Sequence, residues 1–464
     1  MYEDDCMTTK LKKPTRKSSK KVLHEARENA AGIDVGAYEV FVAVPEERDE
    51  ESIRSFSTFT EDLQEMARWL KRCRIDTVAM ESTGVYWIPV FQILEAYDIE
   101  VYLVNARHVK NVPGRKTDVQ DCQWLQYLHS VGLLRASFRP SADVVAVRTL
   151  LRHRENLVKS AAAHIQHIQK SLTQMNLYLH NVISNVTGRT GMAIIDAILL
   201  GEHDPKVLAK LRDYRIKADE ETIAKSLAGD YKAEHLFTLK QAVDLYRYYS
   251  TLIQECDREI ESHLERFETK RDDEPKAKPE KKKTGVNDLH FDVKSHLYRI
   301  YGVDLTDIPG ISGLTAHTIF TEIGMDIYKF KTVHHFTSWL GLSPNNKISG
   351  GKILSSKTSF SSNRVAKALR LAANALYNSK SYLGNYFRKM RSRLGAPKAI
   401  TATAHKLARI VYSMLRNQTP YDESVFAVEE VKHQERLMRK LKKQAAALGL
   451  ALVEVQTAPN AESA

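Results

Sequence analysis

Residues 31–36 read Ala-Gly-Ile-Asp-Val-Gly, a short apolar run with one carboxylate, Asp34, near its centre. Such a run, bounded by glycine and rich in branched side chains, predicts a strand. Residues 40–45 form a second run after a tight connection, and the alternating 52–58 a third, so the three read as a meander. Thr60-Glu61-Asp62 then opens a helix, with Leu63, Met66, Trp69 and Leu70 at helical spacing. Thr77–Glu81 reads as a buried strand, Trp87–Ala96 as a helix and Glu100–Val104 as another strand. Three strands, helix, strand, helix, strand is an α/β order and not a helical bundle.

Working outward, residues 1–29 are charged and polar, with KLKKPTRKSSKK at 10–21, and predict a basic disordered arm with no secretory leader. The α/β domain is expected over 30–142. From 143 to 267 the pattern is helical: long blocks at 144–179 and 238–267 enclose shorter helices between 192 and 227. The long blocks predict an antiparallel coiled-coil arm that could equally serve dimerisation. Residues 268–297, which contain KRDDEPKAKPEKKK, read as a charged linker. A last, mainly α domain is expected over 298–420. The tail 421–464 carries an amphipathic helix at about 425–448.

The charge is unevenly spread. The chain of 464 residues has a formal net charge of +12. From 327 to 421, 95 consecutive residues, there is no Asp or Glu, and 17 are Lys or Arg. Without that segment the remainder is net acidic, so one stretch carries the whole basicity. This points to a polyanionic partner, most simply nucleic acid. No apolar run approaches the ~18 residues of a membrane span. The four cysteines are far apart and form no CxxC pair, which fits a reducing cytoplasm and neither a disulfide framework nor a zinc site.

Asp34 inside an apolar strand costs several kcal/mol if it stays charged and unpaired, so it demands a strong partner. Glu81, at the C-terminal end of the strand 77–81, poses the same problem. Asp118 and Asp121 are three apart and share a helix face, where like charges repel unless a cation lies between them. Taken singly, Asp118 could be an N-cap and Glu81 a helix cap. Together, four carboxylates with no Cys or His select Mg²⁺ or Mn²⁺. They could hold two such ions, as in-line displacement at phosphorus requires. Arg107, Lys110, Arg115 and Lys116 precede the Asp pair with no acid among them; they could hold the scissile phosphate or simply line a solvated loop.

In the basic segment's approach, Pro309-Gly310-Ile311-Ser312-Gly313 lies between two apolar helical runs. Gly310 and Gly313 permit a tight hairpin, and a helix starting there would aim N–H groups at a phosphate. A plain packing corner is the other reading. Ser349-Gly350-Gly351-Lys352 reads alone as an ordinary turn; a serine nucleophile would need activation by metals bound elsewhere. Lys357 follows, then Arg364, Lys367 and Arg370 on successive turns of one helix, favouring a phosphate-tracking face over a solvated one. The pairs His164/His167 and His334/His335 have no further ligand at zinc spacing.

GIDVG at 32–36, AMESTG with VYW at 79–87, and GRKTDVQDCQWLQYLHSVGLLRASF at 114–138 are followed by IPGISGLTA at 308–316. After these come WLGLSPNNKISGGK at 339–352 and SSNRVAKALRLAANAL at 361–376. In this order they resemble the DEDD transposases of insertion sequences, the "one-ten" family. The SGGK loop and APKAITATAHKLARIVYSML at 396–415 are similar to its "eleven-eleven" branch. The Piv-type DNA invertases and RNA-guided bridge recombinases are relatives. The resemblance implies a RuvC-like, ribonuclease H-like first domain whose acidic residues fall on Asp34, Glu81, Asp118 and Asp121. It also implies a C-terminal domain with a helix–hairpin–helix, whose serine nucleophile falls on Ser349. By the same resemblance the partners are DNA, an element-encoded non-coding guide RNA and further copies of the chain, in the bacterial or archaeal cytoplasm. The alternatives are an invertase without RNA, a metal-dependent nuclease or resolvase using water, and a non-catalytic nucleic-acid-binding protein.

Overall fold

The computed structural model describes residues 26–82, 84–104, 118–273, 287–359 and 361–450. Side chains at 118, 119, 353, 427–434 and 440 lie outside that description. The chain divides into two units, Met1–Arg139 and Pro140–Ala464.

In the first unit, β1 (Ala30–Val35), β2 (Glu39–Ala43) and β3 (Ile53–Ser57) form the expected meander. Helix α1 (Thr60–Arg72), β4 (Thr77–Glu81), α2 (Trp87–Ala96), β5 (Glu100–Val104) and α3 (Asp118–Ser130) follow. The sheet is mixed, in the order β3-β2-β1-β4-β5, with β1 parallel to β4 and β4 parallel to β5. Strand alternation sorts its faces. Ile33, Val35, Val78 and Met80 pack with Leu63, Met66, Trp69 and Leu70 of α1 and with Val90 and Leu94 of α2. On the opposite face Ala79 and Val104 pack with Leu125 and Leu128 of α3. At about 25 cal/mol per Å² of apolar area, these two cores supply most of the drive to fold.

The expected free arm ends earlier than residue 29. The Arg27 guanidinium donates to the Tyr102 hydroxyl (3.1 Å) and to the His129 carbonyl (3.3 Å), and Asn29 donates to Asp76 (2.6 Å). These polar partners hold 27–29 against the sheet although the stretch is hydrophilic. The rest of the expected arm, 1–25, lies outside the described residues.

The second unit starts with two 33-residue helices, α4 (Ala142–Gln174) and α9 (Ala233–Glu265). Contacts of Arg154 with Asp257, His164 with Tyr249 and Ser171 with Thr238 run in opposite sequence directions. The pair is therefore antiparallel. Between them α5 (Leu179–Val182), α6 (Arg189–Leu199), α7 (Pro205–Ala209) and α8 (Glu220–Leu227) cap the arm around Ile168, Ile194, Ile223 and Leu239. At its other end Arg154 and Asp257, both almost fully buried, form a fork, and Arg154 also donates to the Asp288 carbonyl (2.8 Å). Of the expected charged linker 268–297, residues 274–286 lie outside the described residues, and its last residues already belong to the helix that starts at Val293.

The chain continues through α10 (Val293–Tyr301), α11 (Gly313–Ile323), α12 (Val333–Trp339) and a hairpin of β6 (Lys347–Ser349) and β7 (Lys352–Ser355). Helices α13 (Arg364–Ala375), α14 (Tyr382–Leu394), α15 (Ala396–Asn417) and α16 (Ala427–Ala447) complete it. Arg148 donates to the Thr321 carbonyl (2.9 Å) and Arg152 pairs with Glu322 (2.7 Å), fastening α4 to α11. Residues 451–464 lie outside the described residues. Among the described residues no helix is long and apolar enough to cross a membrane.

Candidate nucleic-acid cutting site

β1 and β4 pair in parallel through Gly32↔Ala79 and Ile33↔Met80. Asp34 and Glu81 are each one residue further on, so they continue the register side by side. By strand alternation they share the face of Gly32 and Ala79, the face that α3 covers. Both side chains are half-buried, and the Glu81 Oε1 and Asp121 Oδ1 atoms are shielded from solvent.

What brings α3 there is Gly32. A Cβ on Gly32 would lie 2.1 Å from the Cys122 carbonyl oxygen and 2.3 Å from the Gln126 nitrogen. Only a bare α-carbon lets the helix backbone lie directly on the strand. Gln126 then donates to the Ala30 carbonyl (3.3 Å). Asp121 precedes Cys122, whose thiol is pushed up to about 12, first by burial and also by the neighbouring Asp34 and Asp121 carboxylates. Asp118 is the first residue of α3; its side chain is outside the described residues, as are Arg107, Lys110, Arg115 and Lys116.

The donor set is oxygen-only, and at least two of its oxygens are withdrawn from water, which suits a hard divalent cation. Among the described residues no three Asp, Glu, His or Cys side chains close into a ligand cluster.

In the second unit, the segment expected as a serine turn is a β-hairpin. Ser349 and Lys352 are the closing pair, and the turn residues Gly350 and Gly351 have φ of +54° and +75°. Positive φ at both central positions is the turn geometry that matches the twist of a two-residue hairpin, and it selects Gly-Gly. No heavy atom lies within 4 Å of a Cβ built on either glycine. Ser349 and Lys352 are exposed and, as a register pair, share a face; Lys347, also exposed, opens the same strand beyond an irregularity in the pairing between Lys347 and Ile348. Lys347 was not singled out from sequence; the hairpin brings it into the same short ribbon. Lys357 is also exposed, and its carbonyl accepts from the Asn345 N–H (3.0 Å), extending the ribbon.

Gly310 has φ +90° and is exposed on one side, while on the other a Cβ would lie 2.8 Å from the Ala372 carbonyl. Gly313 opens α11, and a Cβ there would meet Val293 of α10 at 2.7 Å. Both glycines therefore have a packing reason. Ser312 caps α11 by accepting from the Thr315 N–H (3.2 Å). On α13, Arg364 pairs with Glu155 of α4, while Lys367 is exposed and Arg370 half-exposed. Sequence spacing placed the three cations together but could not show that an acid 209 residues away engages the first.

Of the histidine pairs, His164 and His167 form an edge-on ring pair and His164 stacks on Tyr249. His335 joins the N-terminal cap of α12 through Thr332 (2.8 Å).

Residues 31–177 match the model of a DEDD transposase domain of the IS110 kind, described as a transposase, and residues 304–388 match the transposase IS116/IS110/IS902 family. The transposase for insertion sequence element IS1111A of Coxiella burnetii is 23% identical over 357 residues, covering 75% of this chain and 80% of that protein. An uncharacterized 43.6 kDa protein of insertion element IS110 from Streptomyces coelicolor is 32% identical over 132 residues, 27% of this chain and 32% of that protein.

Proposed function

Because the chain belongs to the IS110 family of insertion-sequence transposases, with an IS1111-like relative, we propose that it cuts and rejoins DNA through carboxylate-held metal and Ser349. The observation that carries this reading is the side-by-side placement of Asp34 and Glu81 on the sheet face where Gly32 admits the helix of Asp121. We take the first unit as a ribonuclease H-like domain, since its mixed sheet presents both carboxylates at one strand end.

Asp34, Glu81, Asp118 and Asp121 are the residues that would hold Mg²⁺ or Mn²⁺, which would supply Lewis-acid stabilisation of the charge that builds on the scissile phosphate and the leaving oxygen. Ser349 Oγ attacks phosphorus, its proton passing to water; an Oγ–P bond forms while the phosphorus–deoxyribose oxygen bond breaks, and that oxygen takes up a proton. One phosphodiester replaces another, so reversal rejoins strands without ATP. Lys352, paired across the hairpin from Ser349, and Lys347 at the start of the serine's strand neutralise the approaching phosphate. Lys357, Lys367 and Arg370 track the backbone, and Gly350 and Gly351, open on the Cβ side, let it come close, whereas Gly310 and Gly313 serve the packing of the helices around them. The α10–α11 pair is read as the helix–hairpin–helix.

Partner choice follows the family resemblance. A non-coding RNA pairs with target and donor DNA, while the protein reads backbone and shape. The α4–α9 arm joins copies of the chain, because strand exchange requires several cuts.

Ser349→Ala decides the nucleophile: loss of both the covalent protein–DNA adduct and cleavage is expected. Normal cleavage without the adduct would mean that water attacks. Sequencing the RNA that co-purifies with the full chain tests guidance; absence of a specific bound RNA would leave a protein-only recombinase.

A further inference from the structure

Three aromatic side chains at the carboxylate end of the first sheet have no part in the reading above. Tyr38 is 86% exposed, Phe59 76% and Tyr86 48%. The pairings place them at one edge. β1 and β4 are parallel and end there with Asp34 and Glu81, and Tyr86 follows β4. Val35↔Val40 and Glu39↔Ser57 bring the β1–β2 turn, which holds Tyr38, and the end of β3, followed by Phe59, to the same side.

The backbone beneath the rings is fixed. Gly36 donates to the Glu39 carbonyl (2.9 Å) across the turn, and Thr58 donates to the Tyr38 carbonyl (3.2 Å). Phe59 donates to Ser57 Oγ (3.2 Å), and its carbonyl accepts from Leu63 (3.0 Å). Local chemistry argues against aromatic residues here. Phe59 is the N-cap of α1, a position that favours Ser, Thr, Asp or Asn, and it makes no side-chain cap. Tyr38 lies in a tight turn, where small polar residues predominate. A large ring kept in water at such positions adds nothing to folding, and proteins set local rules aside at functional sites.

We propose that Tyr38, Phe59 and Tyr86 form a base-stacking rim that receives unpaired bases flanking the phosphate to be cut; this rests on the carboxylate reading of the same sheet end. Rings exposed one by one around a phosphate-handling centre suit successive bases of a strand. A protein partner would instead require a contiguous apolar patch. Stacking on aromatic rings is sequence-tolerant, as a target chosen by base pairing demands. The rim also fits a duplex opened for exchange, whose bases have lost their partners.

The test uses the full chain and a mixed-sequence single-stranded DNA carrying 2-aminopurine, beside a duplex of the same sequence. Binding is expected to quench the fluorescence of the single strand. Tyr38→Ala, Phe59→Ala and Tyr86→Ala should each weaken single-strand binding about 5- to 150-fold and reduce quenching, with duplex affinity and thermal unfolding unchanged. Phe59→Trp should keep the quenching and Phe59→Leu should lose it. Unchanged affinity and quenching in the triple alanine variant would overturn the rim, as would an equal loss on duplex. Asp34→Ala separates the two readings: quenching with no cleavage upholds both, whereas full cleavage by this variant sinks the carboxylate assignment.

Discussion

Gly32 and Cys122 stand so close that a single added Cβ on the strand would lie 2.1 Å from the helix carbonyl. Asp34 is two residues beyond the glycine and Asp121 is one before the cysteine, so this contact sets the spacing of the candidate metal ligands.

Gly32→Ala should therefore act on both stability and chemistry. Overpacking of this kind costs about 1–3 kcal/mol. The expected outcome is a lower thermal midpoint and faster amide exchange along α3, with metal-dependent cleavage lost even below the unfolding temperature. A variant with native exchange and native cleavage would refute the role given to the contact.

Removing a carboxylate should do the opposite to stability. The Asp34 and Asp121 charges both push up the pKa of the buried Cys122 thiol, and like charges bearing on one buried spot oppose folding. Asp34→Ala or Asp121→Ala is expected to unfold no earlier than the native chain without metal, and to lose the rise in thermal midpoint that Mg²⁺ produces. A differential scanning fluorimetry titration with and without MgCl₂ reads both. An Mg²⁺-dependent rise retained in both variants would count against the site.

The cations of α13 should not be equivalent. Arg364 is held by Glu155, whereas Lys367 is exposed. Lys367→Ala should reduce the slope of log affinity against log salt by about 1, as loss of one phosphate contact does. Arg364→Ala should change that slope less and lower stability slightly, as breaking a partly exposed ion pair does. Equal slope changes would show that Arg364 leaves Glu155 to bind nucleic acid.

His317 supplies a pH prediction. It is fully buried against Phe320, and among the described residues neither ring nitrogen has a hydrogen-bond partner. Burial, with the Arg154 charge adding, depresses its pKa from 6.5 to about 3. The unfolded chain thus binds a proton that the folded chain refuses between those values. Its contribution to stability is complete above about pH 6.5 and is lost progressively as pH falls toward 3. His317→Leu should flatten the acid side of the stability profile and, by removing unsatisfied buried nitrogens, raise stability by about 1–2 kcal/mol near pH 5. Denaturant midpoints from pH 4 to 8 measure it.

The sequence by itself determined the first unit's order of strands and helices, because periods of 2.0 and 3.6 are local and survive any packing. It also singled out Asp34 and Glu81 as carboxylates in apolar strands and Asp118 and Asp121 by their three-residue spacing, whereas Ser349 came forward only through the family resemblance, its loop reading alone as a turn. Tertiary structure alone decided what no local period encodes. It turned the Ser349 segment into a hairpin with Lys352 as the serine's partner, through positive φ at two successive glycines. It engaged Arg364 with a distant acid, held Arg27 and Asn29 on the sheet, and brought Tyr38, Phe59 and Tyr86 to one edge. Pairing of that sort depends on which surfaces close over one another, and Gly32, unremarkable in its motif, governs the closure by having no side chain.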